Sequence, residues 1–223
     1  MLVRRGQPGA ARQRAIGLDP HEPIVRRADL GPMPHPVGRA LGDLAVSAAR
    51  TGVLLSGGSL RQPRDRVGDV LCFADGTSAC VYRETRVRVP EVGEPTTLVV
   101  QFRLRFVHGR GHSWFRSESV LNTPLFAGFP GFVTKLWLTH DDHQVYRGVY
   151  EWDGPDRAHE YVRSLWWALA FVSERSSIRH VVIRGVGVDD VLRDPSAMGT
   201  GTAGDTGWWR LVEYQHRSRT GPR

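Results

Sequence analysis

The stretch from Pro130 to Val188 constrains the chain most, because its apolar residues change period twice. Residues 130–138 and 145–152 are rich in β-branched and aromatic side chains. Between 156 and 172, Ala158, Tyr161, Val162, Leu165, Ala168, Leu169 and Val172 recur at helical spacing. Asp153 reads as the cap of that helix, with Pro155 in its first turn. Residues 178–186 return to β character, so the stretch predicts strand, strand, helix, strand.

The segment before it completes a pattern. Val100, Phe102, Leu104 and Phe106 alternate with Gln101, Arg103 and Arg105, which is the period of a half-buried strand. A loop at His108–Gly111 and a helix over 112–121 follow, and Asn122-Thr123-Pro124 breaks that helix. From 97 to 192 the order is therefore β, α, β, β, α, β. Two βαβ halves predict an α+β, ferredoxin-like domain, a four-stranded antiparallel sheet with both helices on one face.

Outside that domain, residues 1–29 are rich in Arg, Pro, Gly and Ala without apolar periodicity, and read as a disordered tail. Residues 30–92 predict a helix over 37–50 and a hairpin, whose turn is set by Asp75-Gly76 between 67–73 and 77–86. A helix plus a hairpin buries too little to stand alone, so this extension should pack on the following domain. Residues 193–223 read as a flexible basic tail, in which Trp208–Tyr214 could dock as a small patch.

The net charge is +7. Residues 1–27 hold six arginines against Asp19 and Glu22, and residues 207–223 hold Arg210, Arg217, Arg219 and Arg223 against Glu213. Those two ends account for the whole excess, so the body is neutral, which argues against a specific nucleic-acid role. Lys135 is the sole lysine in the chain. No apolar run is long enough to span a bilayer, no secretory signal is visible, and the two cysteines, Cys72 and Cys80, suit a reduced cytoplasmic setting.

Laying the four strands side by side puts Phe102, Leu104, Leu136, Leu138, Tyr146, Tyr150, Trp152, Val181 and Ile183 against the helices. Arg103, Lys135, Trp137, Arg147, Val149, Glu151 and Val182 then fall on the other face. Val133, Trp137, Val149 and Val182 run through those charges as an apolar seam, with Glu151 placed to pair with Arg103 or Arg147. Such a face calls for a cover. A second copy of the sheet is the simplest one, the amino-terminal hairpin another, and an open solvated face a third.

The run Pro130-Gly131-Phe132-Val133-Thr134-Lys135-Leu136-Trp137, followed by Gly148-Val149-Tyr150, an acidic turn and a helix, resembles the mono-oxygenases of the dimeric α/β-barrel superfamily. The resemblance spans about 97–192. It implies a homodimer whose sheets pair into a barrel, a pocket for a hydrophobic aromatic small molecule, and oxygenation of a quinol without metal, flavin or other cofactor. The family's Asn–Trp–Arg catalytic set has no assigned match here, and relatives of this fold run other chemistry or none. A non-catalytic dimeric ligand-binding or interaction module is the alternative.

Candidate site residues follow from side-chain chemistry. Trp137, Tyr150 and Trp152 suit either an aromatic pocket or ordinary core. Lys135 and Arg147 suit either a phenolate or a structural ion-pair cluster. His112, like His108, stands near the expected pocket mouth, where imidazole moves protons near neutral pH, or is simply exposed. Asn122 would hydrogen-bond a substrate carbonyl or cap its helix. His140-Asp141-Asp142-His143 sits at an expected turn, and no metal site is expected there.

Overall fold

The computed structural model describes residues 33–105, 123–200 and 206–217, and the backbone of 25–28. In chain order the strands are β1 (Val25–Ala28), β2 (Leu60–Arg61), β3 (Val70–Phe73), β4 (Ser78–Val87), β5 (Pro95–Arg103), β6 (Phe132–Leu138), β7 (Val145–Asp153), β8 (Arg179–Arg184) and β9 (Leu211–Gln215). The helices are α1 (Val37–Ser56), α2 (Pro155–Val172) and α3 (Val188–Arg193). The helix expected over 112–121, with His108, His112 and Asn122, lies outside the described residues.

Among the described residues, nine strands join one sheet in the order β1-β8-β5-β7-β6-β4-β3-β9, with β2 beside β4, and each of these ladders is antiparallel. This corrects the expected four-stranded ferredoxin-like fold. The four strands β5 to β8 are present, but the sheet does not stop at β6. The reason is the length of β4. Its first half pairs with β3 around the Asp75-Gly76 turn, and its second half, Arg83–Arg86, runs along β6. The hairpin expected as an extension is thereby part of the main sheet. The turn itself follows the sequence: Gly76 has φ +81°, and the Asp75 carboxylate accepts from the Thr77 backbone and hydroxyl.

The dimeric α/β barrel is corrected for a related reason. The face expected to meet a second copy is covered by this chain. Leu136, Leu138, Val149, Val181 and Ile183 pack beneath α3, Met198, Trp208 and Trp209. Strand β9 then closes the outer edge by pairing with β3. Residues 206–217, within the stretch read as a flexible tail, thus supply core.

The faces of β6 and β8 are the reverse of those expected. Trp137 and Val182 lie on the helix side with Tyr150 and Trp152, and Leu136, Leu138, Val181 and Ile183 lie opposite. The seam through Val133, Trp137, Val149 and Val182 therefore does not exist on one face. All seven residues of β6 are buried, so alternation carries no information about which side faces the helices. A bulge between Phe132 and Thr134 also shifts its parity against β7. The expected ion pairs move accordingly. Glu151 accepts from the Val188 backbone N–H at 2.9 Å, at the start of α3. Arg147 pairs with Asp141 and Asp75, and Arg103 with Glu174.

Two helices back the site. α2 begins one residue before the expected 156, behind Gly154, whose φ is +107°. Asp153, read as its cap, instead accepts from the Gly93 and Glu94 backbones. α1 lies across the turn that follows the 3-10 segment Thr123–Leu125. Ser47 donates to the Pro124 carbonyl, and a Cβ on Gly128 would stand 2.0 Å from the Ser47 carbonyl oxygen, so only glycine admits that approach. Among the described residues, no helix is long and apolar enough to cross a membrane.

Candidate binding site

Between the sheet and α2 lies a buried cluster of rings packed around one amine. β6 presents Lys135 and Trp137 at alternate positions, β7 presents Tyr150 and Trp152, α2 presents Tyr161, and the turn after the 3-10 segment presents Phe126. The Phe126 ring stands edge-on to Trp137 at 5.3 Å and to Tyr150 at 6.3 Å between centroids. Tyr161 bridges Tyr150 and Trp152 at 5.6 and 4.8 Å. Trp137 is held in place by its indole N–H, which donates to Thr85 Oγ1 at 3.0 Å. Tyr150 is placed by the absence of a neighbour: a Cβ on Gly148 would come within 2.8 Å of its ring.

Lys135 Nζ lies 3.3 Å from the Trp137 ring centroid, 4.5 Å from Phe126 and 4.7 Å from Tyr150. Among the described residues it has no carboxylate partner. Burial drives its pKa well below the ordinary lysine value, and the positive charge of Arg83 lowers it further. The amine is thus biased toward its neutral form, in which it can accept as well as donate a hydrogen bond. Burial pushes the Tyr150 and Tyr161 phenols up, so both keep their protons; their hydroxyls stand 3.4 Å apart. Arg83, on β4, closes the outer side of the cluster. Its guanidinium carbon is 4.5 Å from the Trp137 centroid and it donates to the Thr123 hydroxyl. Burial lowers its pKa as well.

A second concavity opens between α1 and α2. It is a groove of about 270 Å³ whose walls include Asp43, Val46, Arg50, Phe129, Pro130 and Glu160. The Phe129 ring, on the groove wall, meets Tyr161 of the ring cluster edge-on at 5.4 Å.

Four expected site residues, Lys135, Trp137, Tyr150 and Trp152, come together in this ring cluster. Arg147 does not. It lies on the opposite face, where its guanidinium is buried between Asp141 at 2.9 Å and Asp75 at 2.8 Å and stacks over Phe73. The turn at His140–His143 serves structure: the Asp141 carboxylate accepts from the His143 and Val145 backbones. Among the described residues, no cluster of three or more His, Cys, Asp or Glu is placed to hold a metal ion. Sequence reasoning missed Phe126, Tyr161 as a wall, and Arg83. Tyr161 was legible as a core position of its helix, whereas Arg83 arrives through the unforeseen pairing of β4 with β6.

Neither a family model nor a curated protein matches the chain. A solved structure described as that of a major regulator of staphylococcal pathogenesis aligns with 61% of this chain and 91% of its own, at 9% identity and a TM-score of 0.34, a likeness too slight to bear on fold or function.

Proposed function

We propose that this protein binds a hydrophobic aromatic small molecule at the ring cluster, with Lys135 as its polar end. The observation that supports the reading most is the placement of the chain's sole lysine. Its amine is buried among three rings, biased to the neutral form and without a described carboxylate partner. Burying an amine without a counter-ion is costly to a fold and gains nothing in packing that a methionine would not supply. A phenol, enol or carbonyl oxygen delivered by a ligand would give that amine a hydrogen-bond partner, while ring stacking would supply affinity. The groove between α1 and α2 borders the same cluster through the contact of Phe129 with Tyr161. A cytoplasmic setting belongs to the same reading, supported by the two free thiols of Cys72 and Cys80.

The test is titration of the purified chain with a naphthoquinone and with its quinol, followed by quenching of tryptophan fluorescence. Saturable binding is expected, and Lys135→Met should weaken it about tenfold or more, the scale of one lost hydrogen bond to a buried polar group. The variant's unfolding midpoint should not fall, because the substitution removes a buried amine without a cavity. Absence of saturable binding, or unchanged affinity in the variant, would reject the reading. Oxygen consumption with the quinol would turn the binding module into the catalytic form suggested by the sequence resemblance. For that form, the expected substrate-binding Arg147 lies on the far face, and the expected proton carrier His112 and the carbonyl donor Asn122 lie outside the described residues.

A further inference from the structure

We infer that Lys135 is a carbon dioxide site: its amine captures the gas as a carbamate, which the guanidinium of Arg83 holds as a counter-ion. Lys135 is 7% exposed, and among the described residues its amine has neither a hydrogen bond nor a carboxylate partner. A second cation stands beside it. Arg83 Cζ lies 4.5 Å and Lys135 Nζ 3.3 Å from the Trp137 ring centroid, so the two groups are no further apart than those distances laid end to end. The pairing of β4 with β6 sets them there, with Arg83 opposite Trp137 and Thr85 opposite Lys135.

Among the described residues, the cluster is therefore short of a negative charge. The buried carboxylates are engaged elsewhere: Glu84 by Arg66 and Arg86, Asp141 by Arg147, and Asp69 by Tyr214 and His216. Two basic groups in a desolvated site repel each other, and the amine yields first, because a guanidinium holds its proton far more tightly. Burial and Arg83 both press Lys135 toward the neutral amine, which is its nucleophilic form.

A carbamate supplies the missing charge. The lone pair of the neutral amine attacks the carbon of carbon dioxide. The N–C bond forms as one C–O π pair moves onto oxygen, and the nitrogen gives a proton to water. Nothing is oxidised or reduced, and a neutral amine has become an anion. Its carboxylate matches the planar fork of Arg83, as in other charge-assisted pairs of guanidinium and carboxylate. An aldehyde or ketone would give an imine, neutral or cationic, and would place no negative charge beside Arg83. Carbon dioxide inverts the sign and asks for the least room, on a side chain that is not wholly sealed from solvent. Ordinary lysines form little carbamate near neutral pH, because they are protonated. The inference uses the same amine as the aromatic-ligand reading and does not rest on it.

The experiment is carbamate trapping on the full chain over a series of dissolved carbon dioxide concentrations. Triethyloxonium fixes a carbamate as its ethyl ester, and peptide mapping by mass spectrometry places it. Lys135 is the sole lysine, so the other amine to be separated is that of the amino terminus. An adduct at Lys135 is expected, with a carbon NMR resonance from isotope-labelled bicarbonate that is absent in Lys135→Met. Arg83→Gln can still donate toward Thr123 but lacks the charge. It should raise the half-saturating concentration about tenfold or more, the scale of one charge-assisted bond, and Arg83→Met should do the same. Circular dichroism checks the fold of each variant. The inference is overturned if the folded wild type yields no adduct at Lys135, or if both folded Arg83 variants leave half-saturation unchanged. Quinone binding without an adduct overturns this inference and leaves the aromatic-ligand reading intact; an adduct without quinone binding does the opposite.

Discussion

Lys135 is the residue whose titration reports on the ring cluster. Its unfolded pKa is near 10.5 and its folded value is held well below that by burial and by Arg83. Between the two, the unfolded chain binds a proton that the folded chain does not, so stability rises with pH across that window. Tyr150 and Tyr161 act in the other sense. Their folded values lie above the ordinary 10, so their contribution is complete below that pH and is lost as the pH climbs beyond it. Urea unfolding followed from about pH 7 to pH 11 should therefore show a Lys135-dependent rise in stability below pH 10.5, opposed from about pH 9 by the Cys72 and Cys80 thiols, which burial raises, and from about pH 10 by the tyrosines. Lys135→Met should abolish the rise and keep the fall. At this scale the sequence was informative about which residues, and less so about their company. Lys135 and Trp137, two apart on one strand, had to share a face, as did Tyr150 and Trp152. Whether the two pairs shared the same face depended on the bulge at Phe132–Thr134, which leaves no mark in composition or spacing.

At the scale of elements, β6 and β7 are joined by a turn that carries more than its polar sequence suggests. Asp141 accepts from the His143 and Val145 backbones and from Arg147 Nη1, and Gln144 sits at φ 60° beside it. Asp141→Ala would leave the Arg147 guanidinium, 2% exposed, with Asp75 alone and would free two backbone N–H groups. A loss of about 3–5 kcal/mol is expected in urea unfolding, in the range for breaking a buried pair from one side. Arg147→Met with Asp141→Asn should cost less than Asp141→Ala, because the Asn oxygen still accepts from the His143 and Val145 backbones and the one charge left without its ion pair, Asp75, is partly exposed and still accepts from Thr77. The hairpin at Asp75-Gly76 and the span of α2 were both legible, since each has a local signal: a turn dipeptide or a 3.6 period. The pairing of β4 with β6 has none. It joins segments some 50 residues apart, and only the unusual length of β4 hinted that its second half needed a partner.

At the scale of the whole molecule, one sheet separates two cores. The helix-side core belongs to α1, α2 and the ring cluster; the other is closed by α3, Met198, Trp208 and Trp209. Trp209 is fully buried, and Trp209→Ala should cost about 3–5 kcal/mol, read as a lowered midpoint in urea with an unchanged far-ultraviolet spectrum below the transition. The sequence announced strands without announcing one sheet. Leu211–Gln215 shows no clean alternation and reads only as part of a patch that could dock, nothing in it names β3 as the mate, and the Gly- and Thr-rich run before it looks like a release rather than a return. Anchoring is nonetheless strong there, since Asp69 accepts from Tyr214, His216 and the Arg217 backbone. The order in which the ribosome delivers these parts now matters. The strand that seals the second core lies more than a hundred residues downstream of the hairpin it seals, so the nascent chain holds Leu71, Phe73 and Val81 open through most of synthesis. Folding of this half can finish only after residue 217 has cleared the exit tunnel, and its apolar face stays open until then.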